Sequence, residues 1–304
     1  MEHPAFTKMM EMALQPDALE PTIAYLAGNL AFLKKNEKVL ICFDKKRPGA
    51  VGELMEKAVL RCGAVPILIE NDWRWKTMLR LAFNSRASTI IAPPLIVLGL
   101  WKIAKYNSTP LNIRSVVTAG YPCPDWMIDG IIQGLDCRTY GCFGPGGGSV
   151  VAGFSCGKSR GAHLRSDVYG ISIVDLQGRE LPDGEVGEMV LYPLAAPEVR
   201  FPVGERARLE RTPCPCGCGA PRLLDLQTGS ISNQDLMPLG DHLQSWTSVL
   251  DCRVRKGGYG LELEIITFPG EKLPKLPTAA KLVIRPWDPD KDEPFFYAPG
   301  IENM

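Results

Sequence analysis

The sequence predicts an α/β protein: a parallel, doubly wound sheet over residues 1–148, a small β-module over 149–229 and a small α+β piece over 230–304. Two observations carry this reading. Short apolar runs alternate with amphipathic helical stretches as far as about Gly148, the pattern of strands joined by crossover helices. Beyond that point the helical spacing stops, and strand-like segments follow one another through turns.

Taken in order, apolar residues recur with helical spacing from Leu19 to Lys35, and Lys38 to Phe43 reads as a strand. Helices are expected at Gly52–Arg61, Trp75–Phe83, Leu95–Tyr106 and Asp125–Gly134, with strands at Val65–Ile69, Ser88–Ala92, Ser115–Thr118 and Cys137–Tyr140 between them. In the β-module the strand-like segments are Val150–Phe154, Val168–Val174, Gly187–Leu191 and Ala207–Leu209. The turns Asp175-Leu-Gln-Gly178 and Pro182-Asp-Gly184 suit hairpins. The tail adds strands at Gly260–Phe268 and Lys281–Arg285. Alternation of Leu261, Leu263 and Ile265 reads as a sheet edge, and edges are often covered by another chain, so a homodimer or a partner subunit is expected.

Among 304 residues, 34 basic side chains balance 34 acidic ones, which gives no general attraction to nucleic acid or to an anionic membrane. No apolar stretch reaches the roughly 20 residues needed to span a bilayer; Ile90–Trp101 is broken by Pro93 and Pro94. Met1 to Gln15 lacks the basic and long apolar segments of a secretory signal, so a cytoplasmic setting with reduced thiols is expected. Six of the ten cysteines, Cys42, Cys62, Cys123, Cys137, Cys142 and Cys252, are scattered and read as small apolar side chains.

The other four are not scattered. Cys214-Pro-Cys-Gly-Cys-Gly219 places three thiols in five residues on a turn that aims sulfurs at one point, as a zinc knuckle does. Two more ligands are needed, and Cys156 and His163, which flank a loop of the same module, are the candidates beside Cys214 and Cys216. Cys218 in place of Cys156, or a thiol redox switch, are the alternatives the spacing leaves open. With no open position, such a zinc ion would be structural.

Four segments in order resemble phenylacetate–coenzyme A ligases, of the adenylate-forming superfamily. Val199-Arg-Phe-Pro-Val-Gly-Glu205, followed by Pro213-Cys-Pro-Cys-Gly217, is similar to that family's Ile-Arg-Tyr-Arg-Thr-Gly-Asp before Cys-x-Cys-Gly. Ser115-Val-Val-Thr-Ala-Gly-Tyr-Pro122 and Arg138-Thr-Tyr-Gly-Cys-Phe-Gly144 resemble its adenine-side loop and its Tyr-Gly-x-Thr-Glu motif, and Leu181-Pro-Asp-Gly-Glu-Val-Gly-Glu-Met-Val190 its hairpin. The likeness covers roughly residues 20–229. It implies an adenylate-forming core, a small carboxylate, nucleotide (AMP or ATP) or coenzyme A as ligand, and an upstream Cys/His pair as in Cys156 and His163. By resemblance, Tyr140 would stack on adenine, Gly120 and Gly141 would let backbone approach the nucleotide, and Glu205 would grip the ribose hydroxyls.

Departures from the family bear on mechanism. Phe143 and Gly144 replace the Thr and Glu of its motif, Glu205 replaces Asp, no Ser/Thr/Gly-rich phosphate loop precedes the match, and only Lys281 and Lys291 lie where a catalytic lysine is sought. The resemblance therefore implies a binding or scaffold protein that has lost ATP-dependent carboxylate activation. The alternative is an acyl-CoA ligase or acyl-transfer enzyme completed by a partner subunit or second protomer. Gly144-Pro-Gly-Gly-Gly-Ser149 is a candidate phosphate or pantetheine cradle as well as a plain hinge, and Trp73, Trp75, Trp101 and Trp126 are candidates for an aromatic pocket or for the core.

Overall fold

The computed structural model describes residues 4–46, 49–69, 71–120, 123–144, 150–227, 243, 245–257, 260–271, 273 and 281–295. Five parallel strands run in the order β2-β1-β3-β4-β5: β1 (Lys38–Ile41), β2 (Val65–Leu68), β3 (Thr89–Ala92), β4 (Ser115–Thr118) and β5 (Arg138–Phe143). Alternate residues of the buried strands face opposite sides, as the pleat requires. Val39, Ile41, Ile91 and Val117 pack with helices α2 (Pro16–Asn29) and α3 (Val51–Arg61), whereas Leu40, Ile90 and Val116 pack with α4 (Trp75–Ser85), α5 (Pro94–Tyr106) and α6 (Asp125–Leu135). This is the doubly wound arrangement expected.

Glycines let the helices of the second layer approach closely. A methyl group at Gly99 would lie 2.2 Å from the Trp75 ring, and one at Gly134 2.5 Å from Trp101. Trp75 is 1% exposed, and Trp73, Trp101 and Trp126 pack against the same core, so all four tryptophans serve packing.

The β-module is not a separate sheet. β5 pairs antiparallel with β6 (Gly153–Phe154), and hydrogen bonding continues through β7 (Ala162–Leu164), β11 (Arg222–Gln227), β10 (Phe201–Glu210) and β9 (Val186–Pro193) to β8 (Tyr169–Val174). One eleven-stranded sheet results, in which β5 of the first expected region pairs with β6 of the second. The hairpin turns at 175–178 and 182–184 join β8 to β9 as read from sequence. A helix that the apolar spacing did not reveal, α1 (Pro4–Ala13), places Met9 and Ala13 in the core formed by β7 to β11.

The described part of the tail is a sheet of three strands, β12 (Val249–Gly257), β13 (Gly260–Thr267) and β14 (Lys281–Pro286). β13 is its centre, with Leu263 and Ile265 buried, so the edges of this sheet are β12 and β14 and not the strand expected there. Leu250, Ile266, Phe268, Trp287 and Phe295 join the core of α4, α5 and α6, so the tail shares that core. Lys102 of α5 is 3% exposed and donates to the Val249 carbonyl at 2.7 Å. Burial lowers its amine to about 8, against the pull of nearby Asp251. The apolar run Ile90–Trp101 is thus a strand and a helix covered on several sides, and no helix among the described residues is long and apolar enough to cross a membrane.

Candidate functional site

The knuckle caps the hairpin between β10 and β11. Gly217, at φ +86°, closes the turn by donating its N–H to the Cys214 carbonyl at 3.0 Å. Pairing of β11 with β7 sets Arg222 opposite His163, and Cys156 lies in the loop that leads into β7. The donor atoms of Cys156, His163, Cys214 and Cys216 all lie within 4.8 Å of one another. Cys156 Sγ is 3.7 Å from Cys214 Sγ, and Cys216 Sγ is 3.3 Å from His163 Nε2. Two sulfurs bound tetrahedrally to one zinc ion at ~2.3 Å are themselves ~3.7 Å apart.

The groups around these ligands suit a metal as well. His163 Nδ1 lies 3.1 Å from the Ala220 carbonyl, a contact that fixes the proton on Nδ1 and leaves the Nε2 lone pair toward the sulfurs. Backbone N–H groups of Lys158 and Cys218 donate to Cys156 Sγ and Cys216 Sγ at 3.4 and 3.3 Å, and Ser159 Oγ is 3.0 Å from Cys214 Sγ. Burial raises the Cys214 thiol, but hydrogen bonds from Ser159 and from the Cys216 backbone outweigh it and bring the thiol down to about 6. Cys218 is exposed and stands outside the group of four.

Beside this centre, a cleft of 610 Å³ opens between the carboxyl ends of β4 and β5 and the strands β10 and β11. Gly120, the adjacent Tyr140 and Gly141, and Glu205 all line it. Gly120 is at φ +83°, and a methyl group there would lie 3.2 Å from the Phe43 ring. The Gly141 N–H donates to Ser155 Oγ at 2.6 Å. Tyr140 is 9% exposed, and its ring stacks on Phe32 with centroids 4.2 Å apart, so one of its faces is already covered. Glu205 is partly buried and has no ion-pair or hydrogen-bond partner among the described residues; burial alone raises its carboxyl to about 8.

Four cationic side chains that the sequence reading did not single out also line the cleft. Arg160 pairs with Asp125 at 2.6 Å and Asp129 at 2.8 Å on α6, and Arg208 pairs with Asp225 and, at 3.6 Å, with Glu210. Among the described residues Lys158 and Arg222 form no ion pair, although Arg222 faces Glu210 across the β10–β11 pair and helps to hold that carboxyl low. Arg222 is 9% exposed, donates from Nη1 to Ser159 Oγ at 3.0 Å, and leaves its Nε without a partner. The polar run Gly157-Lys-Ser-Arg-Gly161 between two expected ligands was the available signal for Lys158, Ser159 and Arg160.

Neither lysine sought in the tail lines the cleft. Lys281 pairs with Glu262 at 2.6 Å and Lys291 with Asp288 at 3.3 Å. Phe143 is 7% exposed in the core that α1 joins, and a methyl group at Gly144 would lie 1.9 Å from the Val150 carbonyl oxygen. Residues 145–149 of the glycine-rich turn lie outside the described residues, as do His3 and His242.

No protein-family model and no curated protein matches this sequence. Solved structures do match. A 2-hydroxyisobutyryl-CoA ligase in the postadenylation state, in complex with 2-HIB-AMP, superimposes with a TM-score of 0.66 at 14% identity, over 82% of this chain and 58% of that one. An open conformation of the same ligase with 2-HIB-AMP and CoA gives 0.62 at 13% identity, over 88% and 67%. A benzoate CoA ligase from Burkholderia xenovorans LB400 gives 0.53 at 12% identity, over 87% and 62%. The chain thus spans between about half and two thirds of the length of these enzymes, and its fold is that of the adenylate-forming ligases.

Proposed function

We propose that this chain is a relative of phenylacetate–CoA ligases that binds a nucleotide or acyl-adenylate in the cleft, carries a structural zinc ion, and does not by itself activate carboxylates with ATP. The resemblance in the motifs and the presence of AMP adducts in the matching ligases support the ligand class. In this reading the backbone at Gly120 and Gly141 admits the base, Tyr140 offers its remaining face, and Glu205 accepts hydrogen bonds from the ribose hydroxyls. Arg222 and Lys158, neither of them in an ion pair among the described residues, face the anionic end of the ligand. Cys156, His163, Cys214 and Cys216 would hold zinc, which supplies a cross-link between the loop before β7 and the β10–β11 turn, not an open coordination position. Ten free cysteines suit a reducing cytoplasmic setting.

The loss of activation rests on one observation. Where the resembling motif has a carboxylate beside the phosphates, this chain has Gly144, and even a methyl group there would meet the Val150 carbonyl at 1.9 Å. No side chain fits that backbone conformation, and Phe143, at the threonine position, is taken up by the core. Loss of one preorganised group commonly costs 10²–10³ in rate. Calorimetric titration of the metal-loaded protein with AMP, ATP, coenzyme A and aryl acids tests the binding half, with AMP expected to give saturable heat. Acyl-CoA formation at ordinary ligase rates by the pure protein would sink the second half.

A further inference from the structure

Several features outside the proposed nucleotide contacts lead to one loop. Between β6 and β7, every residue of 155–161 except Cys156 lines the cleft, and Cys156 is one of the four candidate metal ligands. The segment is therefore shared by two sites that the sequence reading treated separately.

Its contacts tie the two together residue by residue. Ser155 Oγ accepts the Gly141 N–H at the floor of the cleft at 2.6 Å. Gly157, at φ +67°, lies so near Tyr140 that a methyl group would be 2.7 Å from its ring. Ser159 Oγ joins Cys214 Sγ at 3.0 Å to Arg222 Nη1 at 3.0 Å. Arg160 reaches across to Asp125 and Asp129 on α6. Arg222 is a buried cation that faces Glu210 across the β10–β11 pair without forming an ion pair, donates from Nη2 to Thr212 at 3.5 Å, and has an Nε with no hydrogen-bond partner among the described residues; such a group needs fixed dipoles or charges to hold it. A zinc ion with three thiolates and a neutral imidazole carries one net negative charge, and Ser159 relays that charge to the guanidinium.

We infer that the Cys/His centre and the cleft are one linked system, in which bound metal fixes loop 155–161 and, through Ser159, holds Arg222 as the receptor for the anionic group of the cleft ligand. This rests on the nucleotide reading above and deepens it: Ser159 is a positioning residue, and Arg222 the group it positions. Linkage is reciprocal, so a ligand that binds better to the metal-loaded chain must in turn retain the metal.

The test measures zinc release from the loaded, folded protein into an excess of a chromogenic chelator, with and without AMP at a concentration shown by calorimetry to saturate the cleft. Saturating AMP is expected to slow release at least tenfold in the wild type. In Ser159→Ala, which keeps all four ligands and one zinc per chain, the slowing should fall below about threefold, and adenosine, without the phosphate, should slow release little in either protein. Equal release rates with and without bound AMP would overturn the linkage while leaving the nucleotide reading intact, and unchanged coupling in Ser159→Ala would overturn the route through Ser159 to Arg222. No calorimetric binding of AMP would overturn both together. A purified chain without stoichiometric zinc would overturn the linkage and the metal half of the reading, with AMP binding still measured on its own.

Discussion

Replacing Glu205 by glutamine tests the electrostatics of the cleft most directly. Burial raises this carboxyl from 4.5 to about 8, with no partner to offset it. Below about pH 4.5 the group is protonated in the folded and the unfolded chain alike, and it costs nothing. Between 4.5 and about 8 the unfolded chain ionises while the folded chain keeps its proton, so stability falls as pH rises. Above about 8 both are ionised and the full cost is present. At about 1.36 kcal/mol for each tenfold change in proton affinity, the ceiling is about 5 kcal/mol; partial solvent access to the side chain lowers the expected value to ~2 kcal/mol. Urea unfolding of wild type and Glu205→Gln at pH 5, 7 and 9 reads this out. The two should agree most closely at pH 5, and the variant should be more stable by ~2 kcal/mol at pH 9. Parallel pH profiles for the two proteins would refute the claim that Glu205 is an uncompensated buried acid.

Metal content should separate the thiols: Cys214→Ser should lose zinc on dialysis, whereas Cys218→Ser should keep one equivalent, as read by elemental analysis. Gly157→Ala forces a methyl group toward the Tyr140 ring at a residue held at φ +67°, and should cost about 1–3 kcal/mol in thermal unfolding and weaken AMP binding in calorimetry. Lys102→Met leaves the Val249 carbonyl and Asp251 without the amine, and should lower stability by about 3 kcal/mol in denaturant titration. Because a ribose diol donates to ionised Glu205, AMP affinity should rise as pH rises through about 8, and Glu205→Gln should flatten that profile.

The alternating half of the fold was legible because its strands are short, apolar and separated by well-spaced helical faces; the limits of β4 match the reading to the residue. The elements missed carry weaker patterns. β7 has only three residues. β11 starts with Arg222 and includes Asp225 at φ +54°, and its partner β10 shifts register between Arg206 and Arg208, so its alternation is broken. α1 contributes just Met9 and Ala13 as buried residues, too few for a helical stripe to stand out. The knuckle was readable from spacing alone, but the pairing of β7 with β11, which carries His163 to it, was not. The same pairing explains why Ser159 and Arg222 escaped notice: each becomes informative only once the two loops meet.

The way the chain is laid across its cores bears on how it can be made and cut. Helix α1, near residue 9, completes the core of strands that lie between residues 162 and 227, while Phe295 and Trp287 complete the core of helices between residues 75 and 135. Early and late segments thus interlock, and a cut at any of the expected boundaries would leave each fragment with an apolar face whose cover is on the other fragment. During synthesis, the second helical layer must wait, partly uncovered, until the last described strand has emerged. Folding then depends on long-range closure between early and late segments, which makes it slow and leaves partly covered intermediates exposed until the tail is in place.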